Sequence, residues 1–205
     1  MKPFDGRIQL GFTGAGRTGK GTLAKEVAHK LGLTFLPSHI VDTGKMMRFT
    51  GYTDQDGFIE VTGFQFAIMF GQIYQERALQ LAGLGYVAER TTLDYIPYFV
   101  QKTGKNYPPV METAYLMPAY QWAKENYTMI IHCPVEFRTE GGDPWKESDH
   151  EAQLTTDAII QEYLNILRPT VRVLTVVGTP EERFAQVMEA LKEHARRNCP
   201  KSCGE

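Results

Sequence analysis

The sequence predicts an α/β protein in which a parallel β-sheet is covered by helices on both faces. Short apolar segments alternate with helical ones along the 205 residues, a pattern that is typical of parallel sheets with helical crossovers. The first apolar segment is followed by a glycine-rich turn and then by a helix. In parallel sheets, ligands bind in such turns at the carboxyl ends of the strands. The predicted strands are Arg7–Thr13, Thr34–Pro37, Gly85–Glu89, Met129–Cys133 and Arg172–Val177.

Helices are predicted between these strands from apolar residues at spacings of three and four. After the glycine-rich turn this spacing continues until Gly32, which stands where a helix stop is expected. The final helix has a clear start: Thr179 as N-cap, Pro180 at the first position and Glu182 as the capping-box acid. The predicted helices are Gly19–Leu31, about Phe58–Leu81, Leu93–Lys102, Val110–Glu125, Glu151–Leu167 and one beginning at Pro180.

The glycine-rich turn predicts a phosphate-binding loop. Its spacing, Gly14-x4-Gly19-Lys20, lies between a strand and a helix, as such a loop requires. Glycines let backbone N–H groups turn inward around phosphate oxygens, and the helix N-terminus adds partial positive charge. Lys20 would reach the β- and γ-phosphates of ATP, and Thr22, less readily Thr18, would place a hydroxyl on Mg²⁺. The expected nucleotide-binding residues are Gly14, Ala15, Gly16, Arg17, Thr18, Gly19, Lys20, Gly21 and Thr22.

One residue departs from the usual form of this loop. Gly21 stands where serine or threonine commonly follows the lysine, and Thr22 comes one position later. A GKGT ending is tolerated in nucleotide kinases, so the prediction of a phosphate-binding loop is kept.

A second motif follows the third predicted strand. Glu89 and Arg90 come directly after an apolar segment, and Thr91 and Asp94 have the spacing of a capping box. Glu89 would therefore lie at the same sheet edge as the loop, where it would accept a proton from a substrate hydroxyl or hold Mg²⁺. Arg90 would anchor phosphate or developing charge. An ion pair at a strand end is the alternative interpretation.

With these motifs the chain resembles the small P-loop kinases of nucleosides and nucleotides. It is most similar to the nicotinamide-riboside-kinase type, with phage and bacterial relatives, and it resembles deoxynucleoside kinases at the Glu-Arg pair. The resembling pieces are Gly14–Leu31, Glu89–Asp94, Val176–Gly178 and Glu182-Arg183.

The resemblance implies a three-layer P-loop NTPase fold with a five-stranded parallel sheet in the order 2-3-1-4-5. It implies a single kinase domain over residues 1–198, followed by a polar tail at 199–205. It also implies that Glu89 activates the acceptor hydroxyl, with Thr91 in the position of the family's serine. Residues Gly178 to Arg183 would lie near the adenine of ATP.

A mobile lid is expected over about residues 137–150, which are polar and contain glycine. Lids of this kind exclude water and bring a cation to the γ-phosphate, and Arg138 and Lys146 are the cations available. The family's lid usually has an arginine on the following helix, but this chain has none before Arg168. An acidic surface loop is the alternative.

Four residues are candidates for acceptor binding. Arg48 would bind an acceptor phosphate, which a nucleotide kinase needs and a nucleoside kinase does not. Phe64 and Gln72 share a helix face, so they would stack on a base and hydrogen-bond its edge, although the same spacing is typical of a core. Asp94, beside the Glu-Arg pair, completes the set.

The preferred acceptor is a nucleoside or deoxynucleoside monophosphate, because of Arg48 and the GKGT ending. The alternatives are a nucleoside, including nicotinamide riboside, a modified pyrimidine in nucleic acid, or a non-kinase ATPase switch. A GTPase is not favoured, since the sequence has no Asn-Lys-x-Asp motif.

The resemblance implies a small nucleoside or nucleotide as partner, and the composition gives no sign of another kind of partner. A net charge of −2 gives no general attraction to nucleic acid or to an anionic membrane, although a polymeric acceptor stays open. No apolar run reaches membrane-spanning length, and the three cysteines suggest a reducing compartment, so a cytoplasmic protein is expected. A homodimer is left open.

Overall fold

The fold is a five-stranded parallel sheet with helices on both faces. The computed structural model describes residues 8–49, 58–103, 107–137 and 150–198. Within these ranges the strand order is β2-β3-β1-β4-β5, as the resemblance implied. The strands are β1 (Gln9–Thr13), β2 (Thr34–Leu36), β3 (Tyr86–Ala88), β4 (Met129–His132) and β5 (Arg172–Thr175).

The helices lie between the strands in chain order. They are α1 (Lys20–Leu31), α2 (Ile40–Met46), α3 (Phe58–Leu81), α4 (Tyr95–Thr103), α5 (Met117–Asn126), α6 (His150–Leu167) and α7 (Pro180–Asn198). None of these helices has the length and apolar content needed to cross a bilayer.

The sheet register brings the predicted motifs to one edge. In β1, Gly11 pairs with Ala88 of β3, and Thr13 pairs with His132 of β4. The residues that follow these strands therefore emerge side by side at the carboxyl edge, where ligands bind in parallel sheets. The loop after β1 and Glu89 after β3 meet there.

Two apolar layers enclose the sheet. On one face the strand residues pack against α1 and α7, for example Phe12 against a cluster that contains Val27 and Leu191. On the other face α3, α4, α5 and α6 pack on Tyr86 and Ile130. The three-layer arrangement predicted from alternating strands and helices is confirmed.

The structure differs from the prediction where local geometry is irregular. The helix α2 was not predicted, because it is only one or two turns long and contains Gly44. A 3₁₀ turn at Thr92–Asp94 precedes α4, and a π-helical turn at Glu112–Leu116 precedes α5. Most of the predicted lid, including Arg138 and Lys146, and the tail at 199–205 lie outside the described residues.

Candidate active site

The predicted phosphate-binding loop is held in a conformation that requires glycine. Gly14 has φ 140° and Gly19 has φ 80°, both in the region that favours glycine. A Cβ at Gly14 would also collide with the carbonyl oxygen of Cys133 after β4. The N–H of Gly14 donates to Oδ1 of Asp94 at 3.3 Å. The neighbouring strand and the turn before α4 thus fix where the loop begins.

Lys20 points back into its own loop. Its side chain is buried, and Nζ donates to the carbonyl oxygen of Ala15 at 2.8 Å. Burial, followed by the charge of Arg90, lowers the pKa of Lys20 to about 8. A phosphate in the loop would favour the charged amine, so ligand binding and protonation of Lys20 are linked.

Glu89 lies directly against this loop. Its Oε2 accepts a hydrogen bond from the backbone N–H of Ser38 at 3.0 Å, which fixes the carboxyl group from the end of β2. A Cβ built on Gly21 would be only 2.8 Å from Oε1 of Glu89. The unusual glycine after Lys20 therefore has a steric reason: the acid occupies the space that a side chain would need.

Arg90 and Asp94 form the wall beside Glu89. Arg90 is 9% exposed, and Nη1 lies 3.8 Å from Oδ1 of Asp94. Its Nε and Nη1 are buried and have no hydrogen-bond partner among the described residues. Oδ2 of Asp94 accepts from the N–H and the hydroxyl of Thr91, at 2.9 and 2.8 Å, which is the predicted capping box. Because Oδ1 accepts from the N–H of Gly14, both carboxyl oxygens of Asp94 bind groups of the protein itself. Asp94 therefore positions the backbone of the loop and of the turn before α4.

A cavity of about 280 Å³ lies on the other side of the loop. Thr22 and Leu23 of α1 form one side of it. The segment 134–137 after β4 forms another side, and Gly178, Pro180 and Arg183 close it. These last three residues belong to the stretch that the resemblance assigns to adenine.

Arg183 ties the walls of this cavity together. Nη1 donates to the carbonyl oxygen of Thr18 in the loop at 2.6 Å, and Nε donates to that of Gly178 at 3.0 Å. Nη2 forms an ion pair with Glu136. Glu136 in turn accepts the N–H of Gly178 at 3.0 Å. One side chain thus joins the predicted phosphate loop, the β5–α7 turn and the segment that directly precedes the predicted lid.

The predicted base pocket on α3 is filled by the protein itself. Gln72 is buried: its Nε2 donates to the Arg90 carbonyl and to Glu76, and its Oε1 accepts from Tyr95. Phe64 is 1% exposed and packs edge-on against Phe49, with ring centroids 5.9 Å apart. These contacts favour the core interpretation of the Phe64–Gln72 face. They also show that α3 supports the backbone of Arg90.

Of the remaining predicted residues that the structure describes, Arg48, Thr18 and Thr22 form no hydrogen bond or ion pair with the buried Gln72 and Arg90. Arg48 is exposed at the turn after α2, in a left-handed conformation with φ 64°. Thr18 donates its hydroxyl to the Ala15 carbonyl within the loop, whereas Thr22 is exposed beside the cavity. Within the described ranges, no group of three or more histidine, cysteine or acidic side chains is arranged to hold a metal.

Two features of the site were missed in the sequence. Nε2 of His39 is buried without a hydrogen-bond partner among the described residues, and burial lowers the pKa of this side chain. Glu76 is fully buried in α3 and accepts hydrogen bonds from Gln72, Tyr86, Trp122 and Tyr127. An isolated acid in an apolar helix was the available signal for such a network.

No protein-family model and no curated protein matches this chain. Among solved structures, a deoxyadenosine kinase from M. mycoides with the products dCMP and a flexible dCDP has a TM-score of 0.67 at 15% identity, covering 91% of this chain and 100% of the kinase. The same kinase with dATP bound has a TM-score of 0.65 at 16% identity, covering 90% and 99%.

A shikimate kinase from Acinetobacter baumannii in complex with shikimate has a TM-score of 0.50 at 12% identity, covering 97% of this chain and 99% of the kinase. These proteins share an architecture with the chain over nearly their whole length, at sequence identities that establish the fold alone. Together with the loop at Gly14–Thr22 and the strand order, the comparison shows that the chain has the fold of the P-loop kinases.

Proposed function

We propose that the protein transfers the γ-phosphoryl group of ATP to a hydroxyl group of a nucleoside or deoxynucleoside. The observation that carries the proposal is the position of Glu89. Its carboxyl group is fixed by Ser38 and lies against Gly21, next to the lysine of the phosphate loop. An acid at this point is suited to take a proton from a hydroxyl while the phosphoryl group transfers.

The donor would occupy the loop and the cavity beside it. The phosphates would bind the backbone N–H groups of Gly14–Thr22 and the amine of Lys20. The base would enter the cavity of about 280 Å³ that Pro180 and Arg183 close. The nucleotides bound to the M. mycoides kinase support a site of this class.

The residues present are suited to Mg²⁺. Thr22 and Glu89 offer oxygen ligands on either side of the loop, and Mg²⁺ in phosphate sites takes few protein ligands besides phosphate and water. When bound, the ion would neutralise charge on the β- and γ-phosphates.

The remaining side chains would position the reacting groups. Glu89 would hold the acceptor hydroxyl in line and receive its proton, while Lys20 would leave the Ala15 carbonyl to contact the transferring group. The guanidinium group of Arg90, whose Nε and Nη1 make no hydrogen bond among the described residues, would bind oxygens of the acceptor or of the transferring phosphoryl group. Arg138, beyond the described residues, would supply the lid cation.

The surroundings of Glu89 favour a hydroxyl acceptor over a phosphate acceptor. A monophosphate brings its own negative charge and needs no base, so a carboxylate beside it would repel it. Among the described residues, Arg90 is the buried arginine beside Glu89, whereas Arg48 is exposed. The nucleoside monophosphate preferred from the sequence is the second candidate, favoured by Arg48 if that arginine turns toward the acceptor.

The test is ATP consumption by the purified protein with a panel of acceptors. The panel contains nucleosides, deoxynucleosides, their monophosphates and nicotinamide riboside, with ATP alone as the blank. Stimulation by a nucleoside, lost in Glu89→Gln with ATP binding retained, is the expected result. Equal turnover with and without every acceptor would instead favour the ATPase switch, and stimulation by monophosphates alone would move the assignment to the second candidate.

A further inference from the structure

The turn between β5 and α7 has its backbone hydrogen bonds satisfied within the protein. Each of its four N–H groups, from Val176 to Thr179, already has an acceptor among the described residues. In chain order the acceptors are the carbonyl oxygen of His132 at 2.9 Å, Oε1 of Gln186 at 3.3 Å, Oε1 of Glu136 at 3.0 Å and Oε2 of Glu182 at 2.8 Å. Because a backbone N–H has one hydrogen to donate, these four residues have no backbone donor left for a ligand.

Gly178 brings this turn into the wall of the cavity proposed for the base. Its N–H donates to Glu136, and its carbonyl oxygen accepts from Nε of Arg183 at 3.0 Å. The bases differ in the donors and acceptors along their edges, and a site selects one base by pairing with those groups. An acceptor on a base edge, such as N1 of adenine or O6 of guanine, therefore finds no available N–H on this turn.

Three polar side chains of the cavity wall are also engaged within the protein. The hydroxyl of Thr18 donates to the Ala15 carbonyl at 3.2 Å, and Nε2 of Gln153 donates to the Gly16 carbonyl at 3.3 Å. All three side-chain nitrogens of Arg183 contact protein oxygens. These groups hold the cavity wall together, so they are not available to distinguish one base from another.

The cavity is also lined by apolar side chains, namely Leu23, Pro134, Val135, Phe137 and Pro180. Phe137 is 64% exposed and leaves much of its ring uncovered by the described residues. Surfaces of this kind pack against the flat face of any base, because every base has a π face. Apolar contacts also discriminate only weakly between ligands of similar shape.

We propose that the protein accepts the phosphoryl group from nucleoside triphosphates with little regard to the base, because Glu136 holds the N–H of Gly178 that would otherwise pair with it. The inference rests on the proposed position of the donor nucleotide. The loop and Lys20 contact the phosphates, which all such donors share. Transfer of the γ-phosphoryl group to the acceptor hydroxyl leaves the corresponding nucleoside diphosphate, and Glu89 receives the hydroxyl proton, as with ATP.

The first test is the binding of four triphosphates in the absence of an acceptor. Mant-ATP, a fluorescent analogue of ATP, is displaced from the purified protein by ATP, GTP, CTP or UTP in the presence of Mg²⁺. We expect the four dissociation constants to agree within about tenfold. A preference of more than about tenfold for one base overturns the inference, and a protein that binds none of them overturns the proposed function as well. Equal binding without stimulation by any acceptor would contradict the kinase activity alone.

The second test asks whether Glu136 causes this tolerance. Glu136→Ala frees the N–H of Gly178, so we expect the spread of the four constants to widen at least about threefold, as one added hydrogen bond to a base allows. Glu136→Gln keeps an acceptor for that N–H, and Gln186→Ala frees only Val177, which does not line the cavity, so both should leave the spread unchanged. Circular dichroism checks that the variants are folded. An unchanged spread in Glu136→Ala, or an equal widening in Gln186→Ala, overturns the inference.

Two charged residues of the cavity wall provide a further control. Arg17 and Glu26 also line the cavity and carry groups that could pair with a base edge. Arg17→Ala and Glu26→Ala are expected to change the four dissociation constants by the same factor. A change confined to one base in either variant would assign base recognition to that side chain and overturn the inference.

Discussion

The carboxyl group of Glu89 lies so close to Gly21 that a single added carbon would touch it. A Cβ at Gly21 would be 2.8 Å from Oε1, at a position where this type of loop commonly has serine or threonine. The loop and the candidate base are therefore fitted to each other. This contact predicts that a substitution at Gly21 can be partly compensated by a second substitution at Glu89.

We expect Gly21→Ala to reduce kcat by about 100-fold, because Glu89 would have to leave the position from which it meets the acceptor. ATP affinity should change little, since the backbone N–H groups of the loop stay in place. Glu89→Asp in the Gly21→Ala background should recover part of the loss, because the shorter acid makes room for the methyl group. Steady-state kinetics of the four proteins is the measurement, and no recovery in the double variant would argue against a steric cause.

Binding of ATP should take up a proton above about pH 8. The pKa of Lys20 is lowered to about 8 by burial, and a bound phosphate favours the charged amine, so the pKa rises on binding. ATP affinity should then fall as the pH rises through 8, by up to about tenfold per pH unit. Calorimetry in two buffers with different ionisation heats measures the uptake. Lys20→Gln should abolish it and Lys25→Gln, on the exposed face of α1, should not.

Arg183 should act on the donor nucleotide and not on the acceptor. Arg183→Gln removes charge-assisted hydrogen bonds to the Thr18 and Gly178 carbonyls, so we expect KM for ATP to rise about tenfold with the acceptor KM unchanged. Arg172→Gln is the control, because its ion pair with Glu193 is a partly exposed surface contact.

The charge-swapped protein Glu136→Arg, Arg183→Glu separates two roles of this arginine. A swapped pair would restore the ion pair but not the donation to the two carbonyl groups. ATP binding should therefore stay weak in the swap. Full recovery would mean that the ion pair with Glu136 is sufficient and that the bonds to the loop add nothing.

Glu76 should be a determinant of stability. Glu76→Leu would leave the buried donors of Trp122, Tyr86 and Tyr127 without their acceptor, so we expect a loss of about 3 kcal/mol in the free energy of unfolding. Glu125→Leu, at an exposed position on α5, should change it by less than about 0.5 kcal/mol. Urea unfolding measures both, and equal effects would contradict the network.

Local sequence patterns predicted the parts of the site whose geometry is local. The glycine turn between β1 and α1 was predictable because its glycines adopt positive φ within a single turn. The Thr91–Asp94 cap was predictable because both partners lie within four residues. Phosphate binding by the turn stays a prediction. The sheet order came from the resemblance to kinases. The alternation of strands and helices along the chain predicts that the strands pair in parallel, but it does not predict which strands are neighbours in the sheet.

Features that depend on distant partners were not predictable in this way. The spacing of Phe64 and Gln72 places them on one helix face, but it does not determine whether that face contacts a ligand or the core. The hydrogen bonds of Gln72 with Arg90 and Tyr95, which are distant in sequence, favour the core. The resemblance placed Arg183 near the adenine, but its contacts with the loop and the turn could not be predicted, because the acceptors at Thr18 and Gly178 are backbone carbonyl oxygens, which every residue has. Arg138 and the lid stay predictions.

The hydrogen bonds of Arg183 have a consequence for folding during synthesis. The phosphate loop is made early, yet the Thr18 carbonyl receives its partner only when α7 has been made and has docked on the sheet. A growing chain that already contains the whole loop would still lack the side chain that joins its cavity walls. The capacity to hold a nucleotide should therefore appear late, with the last helix, and partly synthesised chains should not sequester ATP.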